Sequence, residues 1–169
     1  MHNSDLPAEI LEVGCGSKPE YGGSTRIDLE EHPGVDFVGD ALVMLQKQPD
    51  GYFDLVTSRH FLEHVESPEL ILEQMVRVTA PGGLITVTVP HFSNSYFYSD
   101  PTHKSPWGLY SMSYFAADAI FTRPTPNYCQ IDGLELISAR IGFRSFRPRY
   151  VRHALKKACL LYTSPSPRD

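Results

Sequence analysis

The chain of 169 residues is 41% apolar with a formal net charge of −5, which fits one globular domain with one buried core. No run approaches the roughly 18 consecutive apolar residues of a membrane span, and the N-terminus lacks a signal-peptide pattern. We therefore expect a cytoplasmic protein with no stable membrane association. Its three scattered cysteines, without a CxxC pair, argue against a disulfide framework and a zinc knuckle.

The charge is unevenly distributed along the chain. Residues 1–139 hold 7 Lys and Arg against 19 Asp and Glu, whereas residues 140–169 hold 8 against 1. A basic end can attract nucleic acid or an acidic membrane surface. Because the acidic body would repel a phosphate backbone, we expect no nucleic-acid partner and interpret the basic segment as a solvated surface.

Short apolar runs with helix-sized gaps predict a mostly parallel sheet of an α/β protein. The first five predicted strands are residues 10–13, 25–29, 36–38, 53–57 and 84–89. Between the fourth and fifth strands, Ser67 and Pro68 predict the start of a helix that ends before Pro81. The residues of this helix expected to face the sheet are Leu70, Ile71, Gln74, Met75 and Val78.

The other elements are less regular. Shorter helices are predicted at residues 42–48 and 113–121, and residues 91–107, rich in aromatic residues, Ser, Asp and Pro, are predicted to form a loop. The pattern predicts a sixth strand from Leu134 to Phe143 and a helix at 150–157.

A glycine pair follows the first strand. A side chain at Gly14 or Gly16 would fill the space that a bound nucleotide needs. Ser17, Lys18 and Pro19 follow, without the third small residue of a GxGxxG fingerprint, which disfavours NAD and FAD.

Two acidic residues end the neighbouring strands. Asp28 lies 14 residues after Gly14, whereas the dinucleotide acid is expected about 20 residues on. A carboxylate at Asp28 can accept both hydroxyls of a ribose, and Asp40 can accept a hydrogen bond from an adenine amine. Ligands bind at the carboxyl ends of strands in such sheets, where both acids lie.

Five segments in order resemble the landmarks of class I S-adenosylmethionine (SAM)-dependent methyltransferases. They are EVGCGS (12–17), RIDL (26–29), GDA (39–41), FDLVTSRHFLEHV (53–65) and LEQMVRVTAPGGLITVTVP (72–90). The resemblance covers about residues 9–90 and is nearest to the small-molecule branch that includes ubiquinone-biosynthesis methyltransferases. It implies a Rossmann-like three-layer sandwich, SAM as the cofactor, and methyl transfer to a small-molecule or glycan-type acceptor.

The resemblance also implies a set of cofactor-binding residues. They are Glu12, Gly14, Cys15, Gly16, Asp28, Leu29, Asp40, Ala41, Ser58 and Arg59. Glu12 and the Gly14–Gly16 backbone would surround the methionine part of SAM, and Ser58 with Arg59 would border the amino end of that methionine. The alternatives are that Asp28 and Asp40 only cap loops, and that Glu12, on a buried strand, has a structural partner.

Candidates for the catalytic base follow the fifth strand. Methyl transfer needs alignment and sometimes a base, and His91, Asp100 and His103 are the candidates, against roles in loop structure. Nearby aromatic residues either wall an acceptor pocket or form the small core of a lid. These aromatic residues are Tyr96, Phe97, Tyr98, Trp107 and Tyr110.

The segment from His60 to His64 matches the HxxEH pattern of zinc peptidases. That motif needs a helix, whereas here it follows a strand and precedes the helix start at Ser67, so we expect no metal and a packed His64. Two functional alternatives remain: an NAD- or nucleotide-sugar-linked enzyme with the same fold, and a non-catalytic SAM-binding module.

The last eleven residues, CLLYTSPSPRD (159–169), resemble a translated sequencing-library adapter. We therefore expect a domain over residues 1–158 that is truncated at its C-terminus, followed by a non-native tail over 159–169. In the methyltransferase fold a last strand usually inserts antiparallel beside strand six. Without it, we expect an open sheet edge and a marginally stable or aggregating protein.

Overall fold

The computed structural model describes residues 8–118, 120–121, 124–126, 129–145 and 156–165, with the backbone alone for 143–145 and 156–165. Within these described residues, nine strands form two sheets. They are β1 (Ile10–Val13), β2 (Thr25–Asp28), β3 (Phe37–Val38), β4 (Phe53–Arg59), β5 (Thr79–Pro90), β6 (Ala117–Asp118), β7 (Glu135–Leu136), β8 (Ser138–Ser145) and β9 (Lys156–Pro165).

The main sheet has seven strands in the order β3-β2-β1-β4-β5-β9-β8. Strands β1 to β5 are parallel, and β9 runs antiparallel to both of its neighbours, β5 and β8. The order reverses beside β1, so the carboxyl ends of β1 and β4 flank the crevice where open α/β sheets bind ligands. The predicted mostly parallel α/β architecture and the first five strands are confirmed.

Two α-helices are described, α1 (Ala41–Gln46) and α2 (Pro68–Val78). Ser67 occupies the N-cap position of α2, although its side chain makes no capping hydrogen bond, and Pro68 stands in the first turn. The buried face of α2 carries Leu72 in place of the predicted Leu70, which is 42% exposed. Each fully buried Leu or Met of this face stabilises the fold by about 1.5–3 kcal/mol.

The predicted helix at 113–121 is wrong. A short 3-10 turn, Ser111–Tyr114, is followed by β6, because Ala117 N–H pairs with Leu134 O at 2.8 Å. Asp118 then accepts hydrogen bonds from the backbone N–H groups of Ile120 and Phe121, a turn that competes with helix formation.

The predicted sixth strand is divided. Glu135–Leu136 pairs with β6 in a two-stranded sheet, whereas Ser138–Ser145 joins the main sheet, with Ile137 between them 46% exposed. The two pieces therefore belong to different sheets.

The expectation of an open edge is also wrong. Strand β9 inserts antiparallel between β5 and β8, pairing with β5 through residues 159–165 and with β8 through residues 156–163. Its sequence from Cys159 to Thr163, CLLYT, is rich in residues that favour strands. The helix predicted at 150–157 lies outside the described residues up to 155, and its last two residues begin β9.

Candidate functional site

The site is built on the sharp turn that follows β1. Gly14 and Gly16 adopt positive φ angles of 69° and 59°, and Gly14 N–H donates to Ile27 O on β2 at 2.9 Å. A Cβ added at Gly14 would lie 2.6 Å from three side-chain atoms of Phe61, whereas one at Gly16 would meet nothing within 4 Å. Gly14 is thus required both by its conformation and by the contact with Phe61.

We expect Gly14→Ala to lower the free energy of unfolding by about 2 kcal/mol, because a left-handed conformation costs a side chain about 1–2 kcal/mol and Phe61 must also shift. Gly16→Ala is the matched control, since it carries the same conformational strain into open space. Urea denaturation should show the larger loss at Gly14. Equal losses would exclude a role for Phe61.

Glu12 is 4% exposed and holds the loop that leads to β2. Its Oε2 accepts from Glu20 N–H at 2.7 Å, and its Oε1 accepts from Tyr21 N–H at 3.1 Å and from the Ser24 hydroxyl. The Arg26 guanidinium lies 3.8 Å from Oε1. Glu12 therefore has the structural partners that a buried carboxylate needs.

Asp28 joins the glycine turn to the end of β2. Its Oδ2 accepts from Gly16 N–H at 2.6 Å, and its Oδ1 accepts from Glu30 N–H at 3.0 Å. An ionised carboxylate has about four acceptor sites. Both oxygens therefore retain capacity for the hydroxyls of a ligand.

Asp40 caps α1, because its Oδ1 accepts from Val43 N–H at 3.1 Å. Within the described residues its Oδ2 makes no hydrogen bond, so one oxygen is available to a ligand. Asp40 and Asp28 both line a first cavity of about 540 Å³. This cavity also contains Gly14, Leu29, Ala41 and the apolar side chains of Phe61, Leu70 and Ile71.

A second cavity of about 250 Å³ lies on the other side of Gly14. Its charged lining residues are Glu12, Lys18, Glu20 and Arg59. The lining therefore carries both cationic and anionic side chains. Within the described residues, neither Arg59 nor Lys18 forms an ion pair. Such a lining suits a zwitterion that carries a carboxylate and an amine.

Cys15 also lines the second cavity. Burial, reinforced by the Asp28 and Glu12 carboxylates, raises the pKa of its thiol, so Cys15 is a neutral thiol near pH 7. Ser58 is 1% exposed and lines neither the first nor the second cavity, and its hydroxyl has no partner within the described residues.

A third cavity of about 750 Å³ opens beyond Arg59 and His60, which line both it and the second cavity. Its outer wall is the segment 94–103, including Asn94, Tyr96 and Phe97. Backbone N–H groups of Lys104 and Ser105 tie this segment to Glu63 O at 2.7 and 3.3 Å.

The comparisons with known proteins agree on a family. Residues 21–87 match a family model described as a methyltransferase domain. Ajmaline N-methyltransferase from Rauvolfia serpentina is 50% identical over 83 residues, 49% of this chain and 25% of that protein. A ubiquinone biosynthesis O-methyltransferase from Dechloromonas aromatica is 30% identical over 111 residues, 53% of this chain and 48% of that protein. The chain thus spans less than half the length of these relatives.

A solved SAM-dependent methyltransferase from Archaeoglobus fulgidus aligns over 94% of this chain and 86% of its own, with a TM-score of 0.63 and 18% identity. This chain has the class I SAM-dependent methyltransferase fold. The 1,6-didemethyltoxoflavin-N1-methyltransferase from Burkholderia thailandensis, solved with S-adenosylhomocysteine (SAH), has a TM-score of 0.58 at 14% identity, over 95% of this chain and 72% of its own.

Within this methyltransferase fold, the predicted catalytic residues separate. Asp100 and His103 line the third cavity, with Asp100 Oδ2 3.7 Å from His103 Nε2. His91 lies outside the three cavities, its Nδ1 accepts from Ser93 N–H at 3.2 Å, and burial lowers its pKa. The assignment of His91 as a base stays a prediction.

The aromatic residues divide between the two predicted roles. Phe97 and Trp107 are 6% and 2% exposed, so they pack inward, and Phe97 also lines the third cavity. Tyr96 lines the same cavity while 49% exposed. Tyr98 and Tyr110 lie outside its lining and are 73% and 41% exposed.

The HxxEH segment does not place its two histidines on one face of a helix, as the zinc-peptidase motif requires. His60 follows β4 with a positive φ of 53°, and His64 ends a 3-10 turn, Leu62–His64. However, Glu63 and His64 do meet a third residue that the sequence motif does not contain, His103. The spacing of 39 residues between the histidines conceals this cluster in the sequence.

Among the described residues, no helix has the length and apolar character to cross a bilayer.

Proposed function

We propose that this protein transfers a methyl group from SAM to a nitrogen or oxygen atom of a small-molecule acceptor. The observation that carries the proposal is that neighbouring cavities share lining residues near the carboxyl ends of the parallel strands. Gly14 lines the first and second cavities, and Arg59 and His60 line the second and third. A cofactor in the first two would present its reactive centre to a molecule in the third.

The first cavity suits the adenosine of SAM. Asp28 would accept the ribose hydroxyls and Asp40 the adenine amine, while Leu29, Ala41 and Leu70 offer apolar contact to the purine. The second cavity suits the methionine end, with Arg59 paired to its carboxylate and Glu20 near its amine. In this arrangement Glu12 shapes the second cavity indirectly, through its hydrogen bonds to the loop from Glu20 to Ser24.

The third cavity would hold the acceptor. The sulfonium is already a strong electrophile, so the protein mainly supplies alignment and excludes water. We propose that His103 and Asp100 form the polar end that orients the attacking atom, with Tyr96 and Phe97 against the acceptor's apolar part. Relatives named as N- and O-methyltransferases support either atom as the target.

An NAD-linked reaction is the second candidate, and the geometry gives it less support. Within the described residues, no α-helix lies between β1 and β2, and the first helix begins at Ala41. A dinucleotide fold places the pyrophosphate at a helix N-terminus directly after the glycine turn. That contact has no counterpart here.

The reaction is tested by incubating the protein with SAM and a panel of small phenols, hydroxylated quinones, amines and sugars, and measuring SAH by mass spectrometry. We expect SAH formation that depends on one acceptor class and falls at least tenfold in His103→Ala. His32→Ala, at a histidine outside the cavities, is the control. If no acceptor class raised the rate of SAH formation above the rate without acceptor, methyltransferase activity on this panel would be contradicted.

Cys15 gives an independent test of where the cofactor lies. Because its pKa is raised, we expect iodoacetamide at pH 8 to alkylate Cys15 more slowly than Cys129, and saturating SAH to slow it several-fold further. Peptide mass spectrometry follows both sites, and Cys129 should be unaffected by SAH since it is outside the three cavities. Equal protection of both cysteines, or of neither, would exclude SAH from the second cavity.

A further inference from the structure

Three side chains with metal-ligating atoms converge on one wall of the third cavity. They are Glu63 and His64, before α2, and His103 from the segment that covers the cavity. One ligating atom from each lies within 4.8 Å of the other two, and the two imidazole ring centroids are 4.7 Å apart.

The hydrogen bonds of His103 determine which nitrogen faces the cluster. Its Nδ1 is 2.9 Å from Phe97 O, and a carbonyl oxygen can only accept, so Nδ1 carries a proton. In the neutral ring, Nε2 therefore has a lone pair, and it lies 3.7 Å from Asp100 Oδ2.

The same reasoning applies to His64. Thr102 Oγ1 donates its single hydrogen to Asp100 Oδ1 at 2.6 Å, so it accepts from His64 Nδ1 at 2.9 Å. The His64 Nε2 then also carries a lone pair, 3.9 Å from Glu63 Oε1. Both histidines thus donate Nδ1–H to an oxygen and leave Nε2 free, as metal-binding histidines do.

Glu63 supplies the independent observation. It is 1% exposed, and its Oε2 has no hydrogen-bond partner among the described residues, although His60 Nδ1 lies 3.5 Å from Oε1. A buried carboxylate oxygen without a partner costs several kcal/mol. One oxygen of this carboxylate lies within 4.8 Å of a ring nitrogen of both His64 and His103, so potential ligands converge where a cation would satisfy them.

We propose that Glu63, His64 and His103 bind one divalent transition-metal ion and leave a fourth position open toward the cavity. Two imidazoles and a carboxylate suit Zn²⁺ or Mn²⁺ better than Mg²⁺, which prefers oxygen alone. Ligand atoms around one tetrahedral ion lie about 3.4 Å apart, so the three ligating atoms, now within 4.8 Å of one another, would move closer together on binding. If the proposed function holds, this ion orients an oxygen acceptor and lowers the pKa of its hydroxyl.

The test is titration of the chelator-treated 169-residue chain with Co²⁺, Zn²⁺, Mn²⁺ and Mg²⁺ separately, by calorimetry, with visible absorption for Co²⁺. We expect one Zn²⁺ or Co²⁺ per chain, bound at micromolar concentration or tighter, and at least tenfold weaker binding in Glu63→Gln and in His103→Ala. His32→Ala and Glu30→Gln are matched controls, because that His–Glu pair has a similar separation, 3.6 Å, away from the cavity. They should bind metal as the parent does.

SAH binding by the same variants, measured in parallel, reports whether the fold and the cofactor cavities are intact. Metal binding that is absent from the parent, or equally strong in Glu63→Gln and His103→Ala, would overturn the proposed metal site even if SAH binds normally. Metal binding with the expected losses but without SAH binding would retain the metal site and overturn the proposed function.

Discussion

Glu12→Gln is expected to lower the free energy of unfolding by about 3 kcal/mol, measured by urea denaturation. The carboxylate accepts two backbone N–H groups and a hydroxyl while only 4% exposed, beside Arg26. Glutamine keeps the shape, but it loses the charge and turns an amide N–H₂ toward groups that are themselves donors. Removing one partner of such a buried charged network costs about 3–5 kcal/mol in other proteins.

Glu30→Gln is the matched control, because among the described residues the Glu30 side chain pairs with His32 alone, at an exposed position. Exposed pairs contribute about 0–1 kcal/mol, so this variant should unfold near the parent's midpoint. If Glu12→Gln were equally mild, the loop from Glu20 to Ser24 would not depend on Glu12. Glu12 would then not determine the shape of the second cavity.

Asp28→Ala is expected to weaken SAH binding by about 10–100-fold, because each lost hydrogen bond to a charged group contributes about 1.5–3 kcal/mol. The Asp28 carboxylate also holds Gly16 N–H, so the glycine turn loses a support in the same variant. Calorimetry with SAH measures the affinity, and a thermal melt records how far the turn is disturbed.

Asp54→Ala separates these two effects. Asp54 likewise accepts from a backbone N–H, that of Glu9 at 2.9 Å, but it stands at the start of β4, at the opposite edge of the sheet. It should leave SAH affinity unchanged while costing a similar amount of stability. Equal affinity for SAH in both variants would remove Asp28 from the cofactor site.

Much of the structure of residues 9–90 was predictable, because the sequence patterns that indicate it are local. Apolar runs of strand length ending in glycines predict β1 and its turn, and Ser67-Pro68 predicts where α2 begins. The carboxyl ends of parallel strands lie at one edge of a sheet, so Asp28 and Asp40 could be expected together, and both line the first cavity. Asp40 combines the two roles that the sequence left as alternatives, since it caps α1 as well.

The remaining features depend on contacts between distant parts of the chain. The hydrogen-bond partners of Glu12 come from a loop 8–12 residues later in the chain. Amino-acid composition does not predict the path that this loop takes. The cluster of Glu63, His64 and His103 forms only when the segment after β5 folds back over the turn before α2. The position of β9 likewise depends on its pairing with β5. Local strand propensity does not predict which strands pair over such a long distance in the chain.

Calorimetry of the 169-residue chain with SAM, SAH and NAD tests most directly whether the two cavities that share Gly14 form a SAM site. We predict one-site binding of SAM and SAH at micromolar concentration and no heat of binding with NAD. Binding of NAD without binding of SAM or SAH would contradict the account.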